Sequence, residues 1–236
     1  MICLVDERIS KKCERSLLLR GARLIKLPPS EKLPSPMASH PDMLLFLHKN
    51  RIITSAEYCE RYPYIFTDIR EFSDSAKFTF TDDVFENKYP RDAIFNALTV
   101  GDRVFLKKDT VSRTVISYAE SCGFDIVQVK QGYPACTVLA FGNSAITADL
   151  GMARTLSDYG VKVTLIENGD ITLPPYEYGF IGGASGVYKN EVYFLGDINS
   201  HRDAKKICDA VKAEGFNPIS LSDEPLADLG RILFVN

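Results

Sequence analysis

Thr137-Val-Leu-Ala-Phe141-Gly142-Asn143-Ser144-Ala-Ile-Thr147 is the stretch whose reading decides the fold. Two short apolar runs flank Gly-Asn, a pair that supplies the positive φ angles of a tight turn, so the stretch predicts a hairpin. Met152-Ala-Arg-Thr-Leu-Ser-Asp-Tyr159 follows with helical spacing, Gly160 closes it as a C-cap, and Val161-Lys-Val-Thr-Leu-Ile166 supplies a third strand. The unit reads β-β-α-β.

Working outward, the same unit recurs. Downstream it is Val187-Tyr188, Lys189-Asn190, Glu191 to Phe194, a helix Arg202 to Glu214, Gly215, and a strand Phe216 to Leu221. Upstream it is Ala93 to Leu98, the turn Val100-Gly-Asp102, Arg103 to Leu106, a helix Val111 to Cys122, Gly123, and Phe124 to Val129. A weaker copy runs Met43 to Leu47, Lys49-Asn50, Arg51 to Thr54, a short helix from Ala56, then a strand Tyr64-Ile-Phe66. Repeats of this length mean an array of one supersecondary unit.

The first residues form a copy without its opening strand: Ile2 to Val5, a helix Ser10 to Arg20, Gly21, and Ala22 to Leu27. The missing strand is predicted at the other end, where Arg231-Ile-Leu-Phe-Val-Asn236 has no following partner and is free to pair with Ile2 to Val5. That pairing would close the chain on itself. A doubly wound parallel sheet also alternates strands and helices, but it needs no hairpins before its helices, and no Gly-rich phosphate loop is present.

Composition bounds the function. The 236 residues are 45% hydrophobic and 25% charged with a net charge of −3, ordinary for a globular protein and without the basic footprint of a nucleic-acid or anionic-membrane binder. Apolar runs such as Met43 to Leu47 are far shorter than the ~20 residues of a membrane span. The N-terminus has no signal-peptide pattern, so a cytoplasmic protein is expected. The six cysteines contain no Cys-x-x-Cys pair and read as reduced thiols, with no metal or cofactor indicated.

Five cyclically arranged β-β-α-β units sealed by the two termini resemble the pentein fold, the five-bladed α/β propeller of the guanidine-modifying enzymes. The resemblance covers residues 1–236 as a single domain. The chain is also similar to an uncharacterised bacterial family assigned to that fold, through Gly132-Tyr-Pro-Ala-Cys-Thr137, Asn143 to Met152, Gly179-Phe-Ile-Gly-Gly-Ala-Ser-Gly186 and Gly196 to Asp203. The resemblance implies a central cleft holding a nucleophilic cysteine, a histidine and acidic residues. A thiolate attacks the planar guanidinium carbon, carboxylates bind the cation, and histidine moves protons near neutral pH.

In the propeller the residues just before each opening strand face the common axis. They are His40-Pro-Asp42, Pro90-Arg-Asp92, Pro134-Ala-Cys136, Gly183-Ala-Ser185 and Asp228-Leu-Gly230. The enzymes' cysteine precedes the last strand, where this chain has Asp228, Leu229 and Gly230. Their histidine position falls on Pro134. The standard positions are therefore vacant, yet His40 and Cys136 occupy equivalent slots two units apart. The expectation is a binding module or pseudoenzyme; the alternative is a thiol-dependent hydrolase or amidinotransferase with Cys136 as nucleophile and His40 as acid/base. In either case Asp42, Asp92, Ser185 and Asp228 would hold a small cationic guanidine-like ligand.

Each residue also has a plainer reading. Cysteine is among the most buried residue types, and Asp after Pro favours a turn. The fold also hosts a noncatalytic ribosome-binding initiation factor, so a rigid interaction surface is a third outcome. Asp197 and His201 read as a cap and a solvated side chain rather than a metal pair. Ser73 to Pro90 interrupts the repeat as an insertion or lid, although alternating Phe78 and Phe80 fit an edge strand.

Overall fold

A computed structural model describes residues 1–236. The first unit contributes β1 (Ile2–Asp6), α1 (Lys11–Leu19) and β2 (Arg23–Leu27). The second is α2 (Pro41–Leu44), β3 (Leu45–His48), β4 (Arg51–Ser55), α3 (Ala56–Arg61), α4 (Pro63–Phe72) and β5 (Lys77–Thr81). The third is β6 (Leu98–Val100), β7 (Arg103–Leu106), α5 (Arg113–Ser121) and β8 (Asp125–Gln128). The fourth is α6 (Pro134–Thr137), β9 (Val138–Phe141), β10 (Ser144–Thr147), α7 (Leu150–Asp158) and β11 (Lys162–Leu165). The fifth is β12 (Ser185–Tyr188), β13 (Glu191–Phe194), α8 (Ala204–Ala213) and β14 (Asn217–Ser220), followed by β15 (Leu233–Val235).

These strands form five separate three-stranded sheets, each an antiparallel pair joined by a helical crossover to a parallel third strand. The first sheet is completed from the far end of the chain: β15 pairs antiparallel with β1, with Ile2 opposite Val235 and Leu4 opposite Leu233. The predicted closure and the pentein propeller are the observed architecture.

The repeat extends to single hydrogen bonds. After α1, α5, α7 and α8 the glycines Gly21, Gly123, Gly160 and Gly215 hold φ between +74° and +78°. In each case the next residue's N–H reaches back to the helix, as Ala22 to Leu17 and Phe216 to Val211 do, the Schellman closure that glycine permits. The third residue of every middle strand, Leu4, Ile53, Phe105, Ile146 and Tyr193, is at most 1% exposed. Middle strands are covered on both faces, and each such side chain contributes roughly 1.5–3 kcal/mol of burial.

Three local expectations need correction. Tyr64-Ile-Phe66 lies in α4, not in a strand: Pro63 at the first helical position starts a new helix, and Ile65, Phe66 and Ile69 give it an apolar face. The third strand of that sheet is β5, within Ser73 to Pro90, with Phe78 and Phe80 stacked on its surface. The opening strand of the third unit is only Leu98–Val100, because Ala93 to Ala97 turns before it. No helix is long and apolar enough to cross a membrane.

Candidate functional site

The residues before the opening strands are not extended in the second and fourth units. They coil into α2 and α6, single turns that each begin with proline and run directly into their strands. The match is confirmed by the Thr54 hydroxyl donating to the Leu44 carbonyl and Thr147 donating to Thr137, both at 2.8 Å. Pro41 therefore corresponds to Pro134, His40 to Tyr133 and Cys136 to Met43. The sequence alignment of His40 with Pro134 was one residue out of register, and His40 and Cys136 are not symmetry equivalents. Both side chains nevertheless reach one cavity.

His40, Cys136 and Asp228 line one cavity of about 510 Å³, whose walls include Met37, Gln131, Tyr133, Tyr178 and Phe180. A wider depression of about 1040 Å³ lies on the flank beside Arg23, Tyr64 and Asp68, but it carries no thiol or imidazole. Chemistry selects the smaller one.

Asp42 and Asn96 lie behind the thiol. The Cys136 thiol donates to Asp42 Oδ2 at 3.0 Å, and Asn96 Nδ2 donates to Cys136 Sγ at 3.0 Å. Asn96 is itself held by the Ala135 N–H donating to its Oδ1 at 2.8 Å. Burial, then the charges of Asp42 and Asp228, push the Cys136 thiol well above its ordinary range, so the resting residue is a thiol. Burial likewise raises Asp42 to about 6, opposed by the Cys136 hydrogen bond and the nearby Arg231 charge.

His40 is 1% exposed, with Nε2 3.8 Å from Asp6 and Nδ1 3.9 Å from Asp228. Burial outweighs the attraction of Asp6 and lowers its pKa to about 4, so the imidazole is neutral at pH 7, with Nε2 lacking a hydrogen-bond partner. Asp228 is raised to about 7 by burial and then by Asp42, against two backbone donors, Phe180 N at 2.9 Å and Gly230 N at 3.1 Å. The site therefore holds more carboxylate than its surroundings neutralise, and a cation entering it would relieve the imbalance.

The glycines explain how these groups come so close. A Cβ on Gly179 or Gly183 would overlap the Asp228 side chain, one on Gly182 would strike the carbonyls of Ala135 and Cys136, and one on Gly230 would strike His40. The glycine-rich run thus seats backbone against Asp228 and the Cys136 turn.

Three predicted ligand-holding residues stand outside the cavity walls: Asp42, behind the thiol, and Ser185 and Asp92. Ser185 is fully buried on β12 and its hydroxyl donates to the Ile181 carbonyl at 2.8 Å, which leaves it no free donor. Asp92 is buried and accepts from the Tyr133 hydroxyl at 2.8 Å, so it orients a wall of the cavity. Asp197 is a cap as expected, accepting from Asn199 N, whereas His201 is buried rather than solvated, its Nδ1 accepting from Asp203 N. The sequence reading missed Asp6, Asn96, Tyr133 and Arg231. Asp6 ends a middle strand and Asn96 sits in the irregular turn before β6, so neither falls at the pre-strand position that the cyclic repeat marks.

Comparison with known proteins agrees with the fold. Residues 4–233 match the model of a family described as "Family of unknown function (DUF6873)", and the chain belongs to it. None of the curated proteins matches the sequence. Among solved structures, a dimethylarginine dimethylaminohydrolase variant in adduct with S-methyl-L-thiocitrulline is similar at TM-score 0.57 and 12% identity, over 94% of this chain and 92% of that one. SxtG, an amidinotransferase from Microseira wollei in the saxitoxin pathway, gives 0.56 and 13% over 94% and 78%. The agmatine deiminase of C. jejuni gives 0.56 and 8% over 94% and 87%. At such identities the likeness establishes the fold, and the chain is a pentein-fold protein.

Proposed function

We propose that this protein takes a small guanidinium or amidinium compound into its axial cavity and attacks the central carbon with Cys136. The observation that carries the reading is the conjunction of thiol, imidazole and carboxylate on one cavity: Cys136, His40 and Asp228 among its walls, with Asp42 3.0 Å from the thiol. Asp228 would pair with the planar cation, and Asp42 behind the thiol would add its charge without touching it. The cation's charge would lower the thiol's pKa at the moment of binding, when a nucleophile is needed.

The proposed step balances as follows. The Cys136 S–H proton passes first to the Asp42 carboxylate it touches, the thiolate forms a C–S bond, and the substituted C–N bond breaks as the departing amine takes up that proton by way of His40. A thiouronium on Cys136 and a free amine remain. Water then adds to the thiouronium carbon, the C–S bond breaks, and urea, a proton and the free thiol result. An acceptor amine in place of water would make the same site an amidinotransferase.

A second reading rests on the raised thiol pKa of Cys136: the cavity binds its cation and performs no turnover, as a sensor or pseudoenzyme would. Both are tested by alkylation with 2-chloroacetamidine, a cationic electrophile, and 2-chloroacetamide, its neutral analogue, with the modified residue located by peptide mass mapping. The proposal expects the amidine to label Cys136 at least tenfold faster than the amide. Equal rates would overturn cation recognition, and amidine-selective labelling without amine or urea release from alkylguanidines would leave the binding reading standing.

A further inference from the structure

We infer that the natural ligand of this cavity carries its guanidinium or amidinium on a tail without a carboxylate, and that a second positive charge on the tail is favoured. This deepens the proposed function and rests on it. Asp228 and Glu177 are the acidic residues of the cavity walls, and no lysine or arginine is among the lining side chains. An amino-acid substrate such as arginine would bring a carboxylate into a space whose only charged side chains are acidic.

The two guanidinium groups that act on the site's titratable residues do not fill that gap. Arg8, close enough to influence His40, is engaged by both oxygens of Asp6 and also donates to the Pro36 carbonyl. Arg231 senses Asp42 and Cys136 from behind, but lines a different groove together with Lys49 and Lys189. A carboxylate in the cavity would therefore be desolvated without a counterion, the like-charge juxtaposition that excludes wrong partners.

The walls instead suit a cationic or apolar tail. Tyr133, Tyr178 and Phe180 are half-buried in the walls and Tyr176 is exposed, so aromatic side chains are at hand for a cation or an alkyl chain. Glu177 stands at the exposed rim and takes part in none of the ion pairs of the fold. It is placed to meet an ammonium on the far end of a ligand whose guanidinium reaches Asp228.

The test uses four compounds of matched length: 4-guanidinobutylamine, n-butylguanidine, 4-guanidinobutyrate and arginine. Affinity is read by calorimetry and by protection of Cys136 from 2-chloroacetamidine, so turnover is not required. The expected order is 4-guanidinobutylamine, then n-butylguanidine, with both carboxylates weaker by about 100-fold. Glu177→Gln should remove the advantage of the amine over n-butylguanidine, and Glu177→Lys should raise the affinity for 4-guanidinobutyrate. Carboxylates bound as tightly as the amine would overturn this inference and leave cation recognition intact. Failure of all four to bind or protect would overturn this inference and the proposed function together.

Discussion

Replacing Asp228 by asparagine should make the protein less stable in acid and more stable in mild alkali. In the folded chain this carboxyl titrates at about 7, against about 3.9 in an unfolded one. Between those pH values the folded state holds a proton that the unfolded state has released, so wild-type stability falls as pH rises through the window. Three pKa units amount to about 4 kcal/mol lost between pH 4 and pH 8. Asparagine has no charge to desolvate and escapes that loss. It keeps only one of the two acceptors that Phe180 N and Gly230 N now use, which costs about 1–3 kcal/mol at every pH. The variant should therefore be less stable by about 1–3 kcal/mol at pH 4 and more stable by a similar amount at pH 8, with Tm moving about 2–4 °C per kcal/mol. His40, held near 4, acts oppositely in both proteins, since the unfolded imidazole binds the extra proton and stability rises with pH. The difference between the two curves isolates Asp228. The chain contains no tryptophan, so unfolding is best followed by far-ultraviolet circular dichroism. Parallel curves for Asp228→Asn and wild type from pH 4 to 8 would refute the buried-carboxylate account.

Further tests address the ring and the thiol. Alanine at Gly21, Gly123, Gly160 or Gly215 would meet no atom within 4 Å, so each should cost the same ~1–2 kcal/mol of left-handed backbone strain, read as equal drops in urea midpoint. Gly183→Ala drives a methyl into Asp228 and should lower stability by about 1–3 kcal/mol. Asn96→Leu strands the Ala135 N–H and removes the donor to Cys136 Sγ; it should cost about 1–3 kcal/mol and slow Cys136 alkylation at a fixed pH. Iodoacetamide at pH 7.5 should modify exposed Cys122 well before buried Cys136, with mass mapping giving the order.

The architecture was legible because its determinants are local and repeated: a two-residue hairpin turn, an apolar helix face and a closing glycine, visible in Gly142-Asn143 and Gly160. The pairing of β15 with β1 followed from one unpaired strand at each end. The second unit obscured its third strand because Pro63 starts an extra helix there, and an apolar triplet such as Tyr64-Ile-Phe66 carries no period that separates helix from strand. The site was half legible. His40, Cys136 and Asp228 fell at the pre-strand position that cyclic symmetry selects, whereas their register was obscured by the turns α2 and α6. Asn96 and Asp6 gave no signal, because their roles arise from contacts between blades. Ser185 shared the position without the role, its hydroxyl being consumed by its own turn.

The most direct test of the cation-binding cavity is proton release on binding. A cation seated against Asp228 should ionise a carboxyl that is half protonated near neutrality. Titrating n-butylguanidine into the protein at pH 6.5, in buffers of differing ionisation enthalpy, should show release of up to about one proton per ligand, lost in Asp228→Asn. Binding with no proton release, or release unchanged in the variant, would contradict the account.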